Sequence, residues 1–154
     1  MDIDIGLGAA ERGETVIALK SVLAETYALY MKTHGYHWNV TGPRFKELHE
    51  MFMEHYTELW NALDVLAERI RALGAFAPGS SAEMMHAATI PADTDVPSGE
   101  EMIINLVKGH EAIARAAKAS VAIAEKAGDV VTADLMTQRT DIAEKTAWML
   151  RSSL

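Results

Sequence analysis

The sequence predicts an all-α protein, a four-helix bundle whose second and third helices are joined by a long crossover carrying a short helix. Three observations predict it. Apolar residues recur at helical spacing through four long stretches. Glycine and proline punctuate the chain at only a few places. Ala, Leu, Glu and Met recur throughout, while aromatic residues make up 6% of a chain that is 49% hydrophobic, a composition that favours helix over sheet. At 154 residues the chain is long enough for one domain with a core and too short for two ordinary ones. Residues 1–154 therefore read as one domain, with residues 1–10 as a flexible N-terminal segment.

The first helix is expected from about Glu11 to Asn39, with Val16, Leu19, Leu23, Tyr30 and His37 near one stripe. Thr41, Gly42 and Pro43 interrupt it, and because proline is tolerated in a first helical turn, a second helix is expected from there to Leu73, where Gly74 supplies the stop. Between Ala75 and Pro97 the pattern dissolves into Gly, Pro and Ser, apart from a short helix expected around Ser81 to Ala88. Ser98 and Glu101 have the spacing of a capping box and open a third helix to about Lys126, closed by Gly128. Asp129 is placed to cap a fourth helix through Trp148 to about Arg151. Two helix pairs joined by one long crossover match the arrangement of ferritin-like bundles.

Composition excludes several classes of function. With no cysteine, disulfides, thiolate zinc sites, iron–sulfur clusters and cysteine nucleophiles are ruled out, so any metal must be held by His, Asp and Glu. The net charge of −8, with no Lys/Arg cluster, opposes nucleic-acid binding and favours cations. No run approaches the ~20 apolar residues a membrane span needs. The acidic start of the chain lacks the form of a secretion signal, so a cytoplasmic location is expected.

The second helix carries two faces. Phe52, Leu59, Leu63, Leu66, Ile70 and Leu73 form an apolar core stripe, while His49, Met53, Tyr56, Trp60, Asp64 and Glu68 share a neighbouring face. A solvated face seldom carries Trp and Tyr, so this face is expected to contact another subunit. Asp64 and Glu68, four residues apart, project from one side and can share a hard cation; by itself such a pair is more often plain surface. His49 lies roughly 22 Å from Asp64 along the helix at about 1.5 Å per residue. The two can meet one ion only across a two-fold axis that pairs identical helices antiparallel, passing near Tyr56 and Trp60. His37, taken alone, reads as a core or helix-terminal histidine. His55 falls on the core stripe, and His34 and His110 have no acidic partner within a turn that would mark them as ligands. Glu83 and His86 form a single Glu-x-x-His in the connection and read as a loop or subunit contact.

Three blocks, Tyr36-His37-Trp38-Asn39-Val40-Thr41-Gly42-Pro43, Leu48-His49-Glu50-Met51-Phe52 and Leu63-Asp64-Val65-Leu66-Ala67-Glu68-Arg69, resemble the Dps family of mini-ferritins, and the likeness runs through Thr132–Arg139 and Glu144–Leu150. The resemblance implies a hollow dodecamer that oxidises ferrous iron, preferentially with hydrogen peroxide, and stores the ferric product. It implies that His37 and His49 act from one subunit and Asp64 and Glu68 from its two-fold partner. It also implies that Trp38 stands near the iron and intercepts oxidising equivalents. Two departures stand out. Where the family usually has a further acidic ligand, four residues after His49, this chain has Met53, a soft and weak ligand for iron. The basic terminal tail of DNA-compacting members is absent, so iron handling without DNA binding is expected. The family also lines a three-fold pore with acidic residues near the start of the last helix, where Asp129, Asp134 and Asp141 fall; capping of Asp129 and plain surface charge for the other two are the competing readings. A shell that stores metal with weak or no oxidase activity is the alternative that Met53 raises. A haem-binding relative would need duplicated Glu-x-x-His motifs, which this chain lacks, so no haem is expected.

Overall fold

The computed structural model describes residues 2–154, so Met1 of the N-terminal segment lies outside the described residues. They form α1 (Ala9–Asn39), α2 (Phe45–Ala72), a short α3 (Ser81–Ala87), α4 (Gly99–Ala127) and α5 (Val130–Arg151). The four long helices make an all-α bundle, with α3 inside the crossover. None of the described helices is long and apolar enough to cross a membrane.

Local chemistry sets most boundaries. The Ser98 hydroxyl accepts the Glu101 main-chain N–H while the Glu101 carboxylate accepts that of Ser98, completing the expected capping box. Gly128, in the left-handed conformation, ends α4. Ser80 caps α3 by accepting from the Glu83 N–H. The start of α2 differs from expectation by two residues. Gly42 adopts φ 108°, open only to glycine, and the Phe45 N–H bonds back to the Gly42 carbonyl at 3.0 Å. Pro43 and Arg44 thus complete a turn rather than open a helix.

The core has two apolar clusters, one around Leu29, Phe52, Leu59, Leu106 and Ile113, the other around Leu19, Leu23, Leu66, Ile70 and Met136. Burying one Leu or Phe contributes about 2 kcal/mol, so these stripes provide most of the driving force. Helix α1 packs on α2 and on α4, and α4 packs on α5. At Gly109 a Cβ would fall within 2.3 Å of the Leu29 side chain, so the glycine permits the close approach of α4 to α1. The crossover is tied down from α1: the buried Glu25 carboxylate accepts the N–H groups of Thr89 at 2.8 Å and Ile90 at 3.1 Å, and Lys32 pairs with Asp93 at 2.7 Å.

The remaining edge, α2 beside α5, is bridged by long charged side chains. Arg69 donates to Asp129 at 2.6 Å and to the Thr132 hydroxyl at 2.9 Å, and Arg139 makes a two-pronged pair with Glu58. The structure shows the capping role expected of Asp129: its carboxylate is buried, accepts from the Thr132 N–H and hydroxyl, and faces Arg69. Asp129→Ala removes the cap and strands the Arg69 guanidinium; the expected loss is about 3 kcal/mol, read as a lower denaturation midpoint in urea.

Candidate metal centre

The turn through Gly42 folds α2 back along α1 and lays the His49 ring on the His37 ring, with centroids 3.8 Å apart and planes 19° from parallel. The His37 Nδ1 lies 2.7 Å from the main-chain oxygen of His49, and the His49 Nδ1 lies 2.8 Å from that of His37. A carbonyl oxygen only accepts, so each Nδ1 carries the hydrogen, and in the neutral ring each Nε2 is left with its lone pair. Metal-ligating histidines show this arrangement, one ring nitrogen oriented by a backbone carbonyl and the other free to bind. His37 is 8% exposed and His49 half-buried, so both are shielded without being closed off.

Asp64 and Glu68 stand on successive turns of α2 with exposed side chains. Because α2 is continuous from Phe45 to Ala72, the rise of about 1.5 Å per residue keeps Asp64 roughly 22 Å from His49. A single chain therefore does not bring the nitrogen and oxygen donors together, and among the described residues no three His, Asp or Glu side chains converge on one point. Asp64 instead borders a depression of about 400 Å³ with Trp60, Leu63 and Ala67 of α2, Leu23 of α1 and Met84 of α3.

Between the two donor pairs lies a band of aromatic and apolar side chains. Trp38 is 57%, Met53 43% and Trp60 59% exposed. The Tyr30 ring sits 5.3 Å from Trp60 and 6.5 Å from Tyr56. His34, left out of the sequence-based set, belongs to this group: its ring stacks on Tyr56 at 3.9 Å and lies 4.2 Å from Trp38 and 6.0 Å from His37. Its Nδ1 is hydrogen-bonded to the Tyr30 hydroxyl at 3.0 Å. Burial, and then the neighbouring His37, lowers the His34 pKa below its ordinary value. The signal was available in the spacing, since Tyr30, His34, His37 and Trp38 occupy one face of α1.

The other candidates lie apart. Asp134, which accepts a bond from Gln138 at 2.6 Å, and Asp141 are exposed on α5. Glu83 and His86 are exposed on α3.

A ferritin-like domain family matches residues 17–154. Among sequence relatives, an uncharacterised low temperature-induced protein of Nostoc is 39% identical over 97% of this chain and 85% of its own length. The DNA protection during starvation protein of Brevibacillus brevis is 35% identical over 90% of this chain and 93% of its own. Among solved structures, a Dps protein of Vibrio cholerae, described as one of the ferritin-like diiron-carboxylate proteins, superposes with TM-score 0.93 at 35% identity, covering 99% of this chain and 96% of that one. The full-length match in sequence and fold shows that this chain belongs to the Dps family of ferritin-like proteins.

Proposed function

We propose that this chain takes up ferrous iron, oxidises it at a site completed between two subunits, preferentially with hydrogen peroxide, and retains the ferric product inside a hollow homo-oligomer, protecting the cytoplasm against oxidative stress. The observation that carries the proposal is the pair of reciprocal hydrogen bonds that leave the His37 and His49 Nε2 atoms free to bind a metal. A relative described as a diiron-carboxylate protein supports iron as the metal handled. Here iron is substrate and cargo, and no haem is involved.

The second half of the site comes from symmetry. Antiparallel pairing of α2 with its copy brings His37 and His49 of one subunit beside Asp64 and Glu68 of the other. The exposed Trp38, Met53 and Trp60 provide the apolar area that a permanent contact buries. Imidazole nitrogens bind the ferrous ion, and carboxylate oxygens favour the ferric product. Two ferrous ions supply the two electrons that, with two protons, convert one peroxide to two waters, so no hydroxyl radical is released. Trp38, at the rim of the histidine pair, is placed to give up an electron when only one iron is oxidised. Assembly into twelve copies follows the family resemblance, and Asp134 and Asp141 on the exposed face of α5 are the carboxylates assigned to an entry pore.

Met53 favours a second reading, a storage shell with weak oxidase activity. A thioether stands on the His49–Asp64 face where a further oxygen ligand would complete the second iron position. Stopped-flow mixing of ferrous iron with peroxide, and separately with oxygen, distinguishes the two. His37→Ala, His49→Ala, Asp64→Ala or Glu68→Ala is expected to slow peroxide-driven oxidation at least about tenfold, and Met53→Glu to accelerate the paired-iron phase. Native protein that binds iron but oxidises it no faster than buffer would establish the shell; Met53→Glu with no effect would remove the role assigned to that position.

The name of the Brevibacillus relative raises DNA as a partner. The net charge of −8 and the scattered Lys and Arg oppose it, because phosphate contacts supply nearly all non-specific affinity. The expected outcome of a gel shift at low salt is no stable complex.

A further inference from the structure

We propose that His55 of α2 and His110 of α4 form a second binding site for a borderline divalent metal ion, such as zinc or ferrous iron, inside the bundle and separate from the His37–His49 pair. The observation is a coincidence of unpaired atoms. Among the described residues, the buried side-chain polar atoms without a hydrogen-bond partner are His55 Nδ1, His110 Nε2 and Arg139 Nε, and all three belong to one neighbourhood. The two imidazole rings lie with centroids 5.9 Å apart and planes 77° from parallel, and Arg139 lies close enough for its charge to act on His110. An orphaned buried polar group costs about 1–3 kcal/mol, and native interiors rarely leave one. Three in one neighbourhood leave a cluster of nitrogen groups with no partner in the protein itself.

The geometry suits a metal. A direct N–H···N bond would draw the ring centroids to roughly 5.2 Å, given a donor–acceptor distance of about 2.9 Å. An ion bound by both unpaired nitrogens at about 2.1 Å would see rings with this centroid separation at roughly 130°, less than ~1 Å of closure from the tetrahedral arrangement. His110 is 2% exposed. Burial disfavours its charged form, and the neutral ring offers the lone pair a metal requires.

The surroundings give the ion room and carboxylates within reach of the cavity. His55 and His110 line a cavity of about 300 Å³ with Glu54, Glu58, Lys145 and Met149. Glu58 is paired with Arg139, whose charge still acts on His110, while Glu54 has no ion pair among the described residues. Burial holds the His55 imidazolium below its ordinary range, and the Glu54 and Glu58 carboxylates offset part of that. No third His, Asp or Glu converges with the two rings, so water fills the remaining coordination positions, and the orphaned Arg139 Nε–H is a donor available to such a water. Two imidazoles select zinc, ferrous iron, cobalt or copper over magnesium and calcium. The site is independent of the first: His55 lies roughly 9 Å along α2 from His49 and about 240° around it.

The test uses the intact assembly carrying His37→Ala and His49→Ala, so that no ion is held by the first pair, and it does not depend on any oxidation reaction. Zinc titration by calorimetry, cobalt absorption and zinc-edge anomalous scattering from soaked crystals are the readouts. The expected result is one ion per chain with an anomalous peak between His55 and His110, and at least about tenfold weaker binding on adding His55→Ala or His110→Phe. Because His110 is buried, the half-exposed His55 variant keeps the test valid if the other misfolds. An anomalous map without a peak between the rings, a water there in its place, or affinity unchanged by His55→Ala would each overturn the proposal.

Discussion

Two hydrogen bonds, each running from the ring of one histidine to the main chain of the other, govern how this molecule presents its nitrogen donors. They require α1 to end at Asn39 and the turn at Gly42 to fold α2 back within one residue of its observed register. A slip there would separate the rings and free each Nδ1, and the neutral imidazoles would then populate both tautomers. The apolar packing of α1 on α2 holds that register, so the hydrophobic stripes and the metal chemistry are not separate features. Phe52, fully buried three residues after His49, anchors the helix that carries the second ring.

The same helix sets the opposite constraint. A rigid α2 of 28 residues separates the histidine pair from Asp64 and Glu68 by more than any side chain can span, so the proposed site draws its oxygen donors from a second chain. The exposed Trp60 between the two donor pairs makes a second copy the economical source. Polar chemistry also concentrates along the α2–α5 edge, where Arg69 with Asp129 and Glu58 with Arg139 replace apolar contact. Removing either partner of such a pair leaves a charge with little water to solvate it. The cavity holding His55 and His110 lies on this edge, where packing is least complete.

Much of the fold is legible in the sequence because its signals are local. Ser98 with Glu101, Gly128 and Asp129 mark helix ends through bonds made within a few residues, and Gly74 ends α2 in the same way. The two-residue difference at the start of α2 comes from Gly42: a positive φ is a property of the turn, and the tolerance of helices for an early proline does not reveal it. The candidate metal centre is less legible. His37 read by itself looks like a core histidine, and its pairing with His49 emerges only from the resemblance or from the folded turn. His34 escapes because it was weighed for acidic neighbours, whereas its partners are Tyr30, Tyr56 and Trp38. His55 and His110 lie on different helices far apart in sequence, so only tertiary packing can show that they face each other.

The central claim is that nitrogen and oxygen donors from different subunits complete one site, and mixing subunits tests it most directly. Subunits carrying His49→Ala and subunits carrying Asp64→Ala, each expected to be at least about tenfold slowed in peroxide-driven iron oxidation, are dissociated, combined in equal amounts and reassembled. Each mixed two-fold pair then holds one intact site and one doubly defective site, so activity is expected to recover to about one quarter of the native value. Reassembled oligomers that remain as slow as either parent would contradict a shared site.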